Sequence, residues 1–359
     1  MIAAAAEFRE VLACHAARYP RMAPCDGVKL AYQATFGGGH LISDPAASLD
    51  RLKAELAQVE PDPAAPLAED IGNGLVRISL RALAGGGDTP DGLNRAFVRS
   101  AQNQKGTRTE LLERLEVLRS LTAQGSFGFS AQDLEEYLGP YQAAGCPPVS
   151  HSPQYRAAYR PAYRVIARRF SLPLCLAELS ARAGRGEGPV LVALDGRCAA
   201  GKTTLAGRLA REYGFPVVHM DHFFLRPEQR TPERLAQPGG NVDYERVQAE
   251  VLTPLRRGEG AVYRPFVCKT QRLAEPITIP PAPVVLVEGS YACHPHLWPS
   301  YDVRVFLTVS PALQRERLLM REGAEGVQVF YDKWIPLEER YCSALQVEDR
   351  CGYSLEAPV

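Results

Sequence analysis

The segment GRCAAGKT, residues 196–203, has the residue types and spacing of a loop that holds phosphate. Gly196 and Gly201 let the backbone turn tightly. The main-chain amides around Arg197, Cys198, Ala199 and Ala200 can then point inward at phosphate oxygens. Lys202 supplies a mobile cation for the terminal phosphates of a nucleotide, and Thr203 a hydroxyl for Mg²⁺. Thr204 follows in the first turn of a helix, where free amides and the positive end of the helix dipole favour anions. The competing reading, a chance glycine-rich turn, loses ground if a strand precedes the segment and a helix follows it.

A second candidate lies downstream. In VVHMDHFF, residues 217–224, Asp221 interrupts an apolar, strand-like run. A carboxylate there is costly unless something uses it. Ligands of doubly wound sheets gather at the carboxyl ends of the strands, which would set Asp221 over the phosphate loop. There it could orient or deprotonate an attacking hydroxyl. A structural cap of the strand end, or a contact to Mg²⁺ through water, is the weaker competing reading. Phosphate binding alone does not separate transfer to water from transfer to a substrate hydroxyl.

These residues need elements to position them. GPVLVALDG reads as a buried strand ahead of the loop, and GKTTLAGRLAREYG as a helix closed by Gly214. PVVHMD, APVVLVEGS and DVRVFLTVS read as further strands. DYERVQAEVLTPLRRG and PALQRERLLMREG read as helices, the latter with Pro311 near its first turn. Continuously apolar strands alternating with helices predict an α/β fold of P-loop type: a doubly wound parallel sheet with helices on both faces. This domain is expected over 189–359. The glycine-rich stretch 181–188 reads as a linker, and 1–180 as a mainly α-helical (α or α+β) N-terminal domain of unassigned role.

Within 1–180, helical periodicity marks 48–60, with Ser48 as N-cap, and 107–124. Residues 61–66 read as a loop and 73–83 as an amphipathic strand, with a helix as the alternative. Over 154–170 a single helix, kinked or restarted at Pro161, would align Tyr155, Tyr159 and Tyr163 on one face. Arg156, Arg160, Arg164 and Arg168 would share the next, either as a nucleotide surface or as a solvated side of a packing helix. His40 and His151, each in a turn-prone setting, could form a second site or be ordinary hydrogen-bonded loop histidines. CHPHLW (293–298) is read as a loop without metal, and WIPLEERY (334–341) as a packing segment.

The chain has 359 residues, enough for two cores. Its 41 basic and 41 acidic residues balance, which argues against a nucleic-acid partner. Nine cysteines, without a C-x-x-C pair, read as reduced thiols of a cytoplasmic protein. The opening, with acidic Glu7 and Glu10, reads as a helix rather than a signal peptide. The absence of an 18-residue apolar run speaks against a membrane span. Self-association stays open.

Over about 188–342 these residues resemble the uridine kinase-like branch of P-loop kinases. LDGRCAAGKTTLAGRLA is similar to that family's phosphate loop and following helix, and MDHFF to its D-x-F-[YF] stretch. The resemblance implies ATP with Mg²⁺, a small-molecule acceptor and a phosphotransferase activity. It puts Asp221 at the residue facing the acceptor hydroxyl. It puts Asp243, in GGNVDYERV, at the residue binding ribose hydroxyls, and Glu288, in VVLVEGSYA, at the position holding Mg²⁺ with Thr203. Arg317 and Arg321, or Arg315, fall on the lid helix that contacts the transferring phosphate. VYRPFVCKTQRL keeps Tyr263 on the substrate side, with Arg272 beside it, but has Cys268 and Lys269 about where a histidine is expected. A nucleoside or another ribose-bearing compound is the implied acceptor. A sugar, a vitamin precursor, or a regulatory NTPase role are the alternatives.

Overall fold

The computed structural model describes residues 2–42, 44–62, 64–83, 90–186 and 188–356. Pro63 of the anticipated 61–66 loop and Glu187 of the anticipated linker lie outside them. The chain divides into two compact units, Met1–Leu174 and Cys175–Val359. A helix, Leu172–Gly184, runs across the division and occupies 181–184, the first half of the stretch read as a linker.

The first unit packs helices against an antiparallel three-stranded sheet. Its strands, Ala68–Gly72, Leu75–Ser79 and Tyr163–Ala167, lie in that order. The core joins Phe8, Leu12, Val28, Leu30, Leu111, Leu115, Leu118 and Leu134 to Ile71 and Val165 of the sheet. Helix Pro45–Gln58 is capped by Asp44, whose carboxylate accepts from the Ala47 amide at 2.7 Å. Ser48 is therefore not the N-cap: it lies buried inside the helix and donates to Asn94 Oδ1 at 2.8 Å. Helix Arg108–Ala123 starts at a capping box formed by Thr107 and Glu110. The strand read over 73–83 stops at Ser79, and 80–83 turn into a short helix.

The reading of 154–170 as one helix fails. Helix Pro153–Tyr159 ends at Arg160, which takes a left-handed conformation with φ 43°. Residues from Tyr163 then form a strand. Pro161 lacks an N–H, and its ring disfavours the right-handed helical conformation at Arg160. Tyr155 and Tyr159 share a face of the short helix, their rings meeting edge to face at 4.8 Å, but Tyr163 lies on the strand and does not join them. The arginine row breaks too. Arg164 chelates Glu55 at 2.7 and 2.9 Å, and Arg160 lies 3.9 Å from Glu60.

The second unit is built on a five-stranded sheet ordered Tyr353–Glu356, Val303–Thr308, Val190–Gly196, Val284–Glu288, Val217–His219. Each adjacent pair is parallel. The sheet thus has the α/β organisation read from the sequence. Every residue of Val190–Gly196 and Val284–Glu288 is buried, as expected of strands covered on both sides. Helix Lys202–Tyr213 leaves the central strand through Gly201 and ends at Gly214, both in left-handed conformations. Tyr353–Glu356 adds an edge strand that the sequence reading lacked. Two short hairpins also go beyond it, Ala261–Tyr263 with Ile277–Ile279 and Phe266–Val267 with Arg272–Leu273.

Candidate active site

Strand Val190–Gly196 delivers the phosphate loop to the carboxyl edge of the sheet. Only glycine fits at 196: a Cβ there would meet the Leu307 carbonyl oxygen at 2.0 Å. The Arg197 amide donates to that same carbonyl at 3.0 Å, pinning the loop to the neighbouring strand. At Gly201 φ is 87°, a left-handed conformation that glycine takes without strain, and a Cβ would meet nothing within 4 Å. The first turn of the following helix presents the amides of Lys202, Thr203 and Thr204 without intrahelical acceptors. Such donors suit an anion.

Three acidic residues brace this cradle from below and beside. Asp195 is buried and accepts from the Gly196 amide at 2.7 Å, Tyr291 N at 3.1 Å, Cys293 N at 2.8 Å and the Tyr341 hydroxyl at 2.7 Å. Burial pushes its carboxyl above the usual range, opposed by these hydrogen bonds and by the Lys202 charge. Glu338, from helix Ile335–Leu345, accepts from the Cys198 amide at 2.8 Å and from the Ser290 hydroxyl. Glu339 binds the Arg197 guanidinium at 2.7 and 3.3 Å, which also reaches Thr308 at 2.9 Å and Glu348 at 3.3 Å. Arg197 therefore serves the loop's outer wall through its side chain. The segment 334–341 packs, as read, and in addition supplies these loop-bracing carboxylates. Sequence reasoning missed all three. Asp195 had a signal, a carboxylate within an apolar strand, identical to the one that exposed Asp221.

Lys202 is buried and donates to the carbonyls of Gly196, at 2.7 Å, and Arg197, at 3.0 Å. Thr203 Oγ1 lies 3.2 Å from both oxygens of Glu288, at the end of strand Val284–Glu288. A hydroxyl and a buried carboxylate at one spot form a hard-oxygen pair suited to Mg²⁺, which keeps most of its waters. No group of three or more histidine, cysteine or carboxylate side chains among the described residues could hold a metal by itself. His219 also binds Glu288, at 2.5 Å, and that contact raises its pKa.

Asp221 sits on the single turn Met220–Phe223 that follows strand Val217–His219. Its side chain is exposed, and its carboxylate accepts no hydrogen bond from the described residues. Desolvation raises its pKa, and the Glu288 charge adds to that. Lys202, His222 and His219 pull the other way. His222 contacts the Tyr263 hydroxyl at 3.0 Å, and burial pushes the Tyr263 phenol up to about 12.

Of the remaining candidates, Arg317 reaches the loop, donating to the Ala199 carbonyl at 3.0 Å. Arg321 pairs with Glu322 at 2.5 Å and covers the Phe330 ring, while Arg315 covers Tyr331. Asp243 is buried, takes Gln229 Nε2 at 2.7 Å and caps its own helix at the Arg246 amide, 3.2 Å away. Arg272 is exposed on a hairpin strand opposite Val267. His40 and His151 engage different partners. His40 packs edge-on against Tyr32 at 5.5 Å, whereas buried His151 lies between Asp26, at 2.8 Å, and the Tyr163 hydroxyl, at 2.6 Å. No helix among the described residues is long and apolar enough to cross a membrane.

No family profile and no curated protein matches the chain. Among solved structures, it is similar to a possible uridine kinase from Bacillus stearothermophilus, at 18% identity and a TM-score of 0.36 over 50% of this chain and 99% of that one. It is also similar to D-glycerate 3-kinase from Cryptococcus neoformans, at 16% identity and 0.38 over 50% and 89%. A third likeness is to shikimate kinase from Bacteroides thetaiotaomicron, at 19% identity and 0.24 over 47% and 86%. Likeness of this size carries no information about the acceptor.

Proposed function

We propose that the second unit is an ATP-dependent kinase that transfers the γ-phosphoryl group to a hydroxyl of a small molecule. A nucleoside or another ribose-bearing compound is the class implied by the sequence resemblance. The observation that carries the reading is Asp221: a carboxylate without a protein partner, at the carboxyl edge of a parallel sheet, within electrostatic reach of Lys202 and Glu288. Asp195, which is buried, has four donors within the protein instead.

In this reading the loop 196–204 holds the nucleotide's phosphates through its amides. Thr203 and Glu288 hold Mg²⁺, which neutralises phosphate charge when bound. Lys202 exchanges its two carbonyl contacts for phosphate oxygens, and Arg317, which touches the loop at the Ala199 carbonyl, adds positive charge there, with Arg321 on the same helix. Asp221 accepts a hydrogen bond from the acceptor hydroxyl and fixes its oxygen in line. As the new O–P bond forms, the bond from the γ-phosphorus to the β–γ bridging oxygen breaks, ADP leaves, and the hydroxyl proton passes to Asp221.

The test is ADP release by the full chain with Mg²⁺–ATP and a panel of nucleosides and sugars. Asp221→Asn should lower acceptor-dependent turnover by roughly 10²–10⁴-fold while ATP affinity stays near that of the wild type. Undiminished turnover in the variant defeats the reading. Equal ATP consumption with and without every acceptor would instead indicate a regulatory NTPase.

A further inference from the structure

Two cations near the chain that runs on from the Asp221 turn have no carboxylate partner among the described residues. Arg230 donates from Nε, at 3.0 Å, and Nη2, at 2.8 Å, to a single carbonyl, that of Leu225, and lies over the Phe266 ring at 5.8 Å. Lys333 lies over the Trp334 ring at 4.7 Å. Trp334 packs on Phe224, at 5.6 Å between centroids, and Phe224 adjoins Leu225. The two cations thus flank one short piece of chain, the one that runs on from the Asp221 turn. The hairpin strand Phe266–Val267 packs directly against that turn. Its next residue, Cys268, feels all three groups: burial raises the thiol pKa, Arg230 and Lys333 lower it, and Asp221 raises it.

This arrangement differs from the arginines nearby. Arg226, Arg234 and Arg246 each pair with a glutamate, Glu228, Glu245 and Glu250 respectively. A guanidinium whose donors find only one carbonyl keeps most of its capacity for a charge-assisted, bidentate contact. The loop side of Asp221 will already be crowded with the charge of the nucleotide phosphates. An anionic acceptor could approach there only if cations met its far end, whereas a neutral one needs none.

We infer that the acceptor carries its own negative charge, a carboxylate or a phosphate, held by Arg230 and Lys333 while Asp221 engages its hydroxyl. This rests on the kinase reading and, within it, selects a hydroxylated anion, such as a phosphorylated ribose-bearing compound, over a neutral nucleoside. Arg230 fixes the orientation of the anion, and Lys333 adds a point charge.

The test is calorimetric binding to the full chain with the loop saturated by Mg²⁺ and a non-hydrolysable ATP analogue. The probes are two matched pairs, ribose with ribose 5-phosphate and glycerol with glycerate. At least one anionic member should bind about tenfold or more tightly than its neutral partner, and that advantage should shrink with added salt. Which pair responds distinguishes phosphate from carboxylate. In Arg230→Gln/Lys333→Gln the anionic member should lose about tenfold in affinity while the neutral member is unchanged. Both residues are exposed, so the double variant is expected to fold, which circular dichroism verifies. Equal affinity within both pairs, no binding by either anion, or an unchanged double variant overturns the inference. Selective binding of an anion that the wild type never phosphorylates defeats the kinase reading and leaves the charge assignment standing.

Discussion

Replacing Asp195 by Asn tests the carboxylate that anchors the phosphate loop. In the wild type its Oδ1 takes the Gly196 and Tyr291 amides, and its Oδ2 takes the Cys293 amide and the Tyr341 hydroxyl. An asparagine must put its NH₂ on one side. On the Oδ1 side it would face two amides that cannot rotate. On the Oδ2 side the Tyr341 hydroxyl can turn to accept, leaving only the Cys293 amide buried without a partner. That loss costs about 1–3 kcal/mol, and removal of the charge weakens the other bonds. Relief from burying an ion offsets part of it. The expected net destabilisation is about 2 kcal/mol, a factor of roughly 30 in the folding equilibrium. Both tryptophans of the chain, Trp298 and Trp334, lie in the second unit, so their fluorescence during urea unfolding reports on that unit. With an m-value of about 2 kcal/mol/M, the midpoint should fall by roughly 1 M. Adding Tyr341→Phe should then be more damaging than additive, because the hydroxyl is the acceptor that rescues the amide. An unchanged midpoint in Asp195→Asn would refute this account of the loop's anchorage.

Two further outcomes concern the first unit. Burial lowers His151 to about 4, despite its hydrogen bond to Asp26. A histidine depressed below its unfolded value makes the folded state lose stability as pH falls from about 6.5 towards 4. Helix Pro24–Phe36 should therefore lose on the order of 2 kcal/mol of hydrogen-exchange protection between pH 7 and pH 5. In His151→Gln that pH dependence should shrink, and a persisting loss would assign it elsewhere. At Gly106 a Cβ would meet the Thr35 carbonyl oxygen at 2.0 Å, so the backbone must move. Gly106→Ala should cost about 3 kcal/mol in the same exchange measurement, and near-wild-type protection would show that the contact yields freely.

The strand, tight loop and helix around 196–204 were legible because their information is local. Two glycines, a lysine and a threonine within eight residues, between an apolar run and a helical one, define a geometry that no distant contact has to supply. The sheet was legible for a similar reason: VLVALDG and VVLVE can be satisfied only between two covering layers. The edge strand Tyr353–Glu356 escaped because YSLE is too short for periodicity to speak. The 154–170 segment misled because Tyr-Arg spacing fits a helix equally well on either side of Pro161, whose effect is to stop it. Glu338 and Glu339 carried no signal at all. On helix Ile335–Leu345 they read as ordinary solvated acids, and only the fold brings them 140 and 142 positions back to Cys198 and Arg197.

Asp195 and Asp221 make the general point about candidate sites. Each is a carboxylate next to an apolar strand, and by sequence each is as anomalous as the other. The partners that separate them come from remote parts of the chain: Asp195 is met by donors 96, 98 and 146 residues away. Its cost of burial is offset within the protein, so it needs no ligand and would be destabilised by losing its donors. Asp221 receives no such donor. Desolvation and the charge of Glu288 both disfavour its ionised form, with only partial relief from Lys202 and the histidines. A hydroxyl presented to it would relieve that imbalance at the moment it is positioned for transfer. Under the proposed kinase reading, the carboxylate that a substrate hydroxyl would meet at this sheet edge is the one without a protein donor, Asp221, rather than the one already bonded, Asp195.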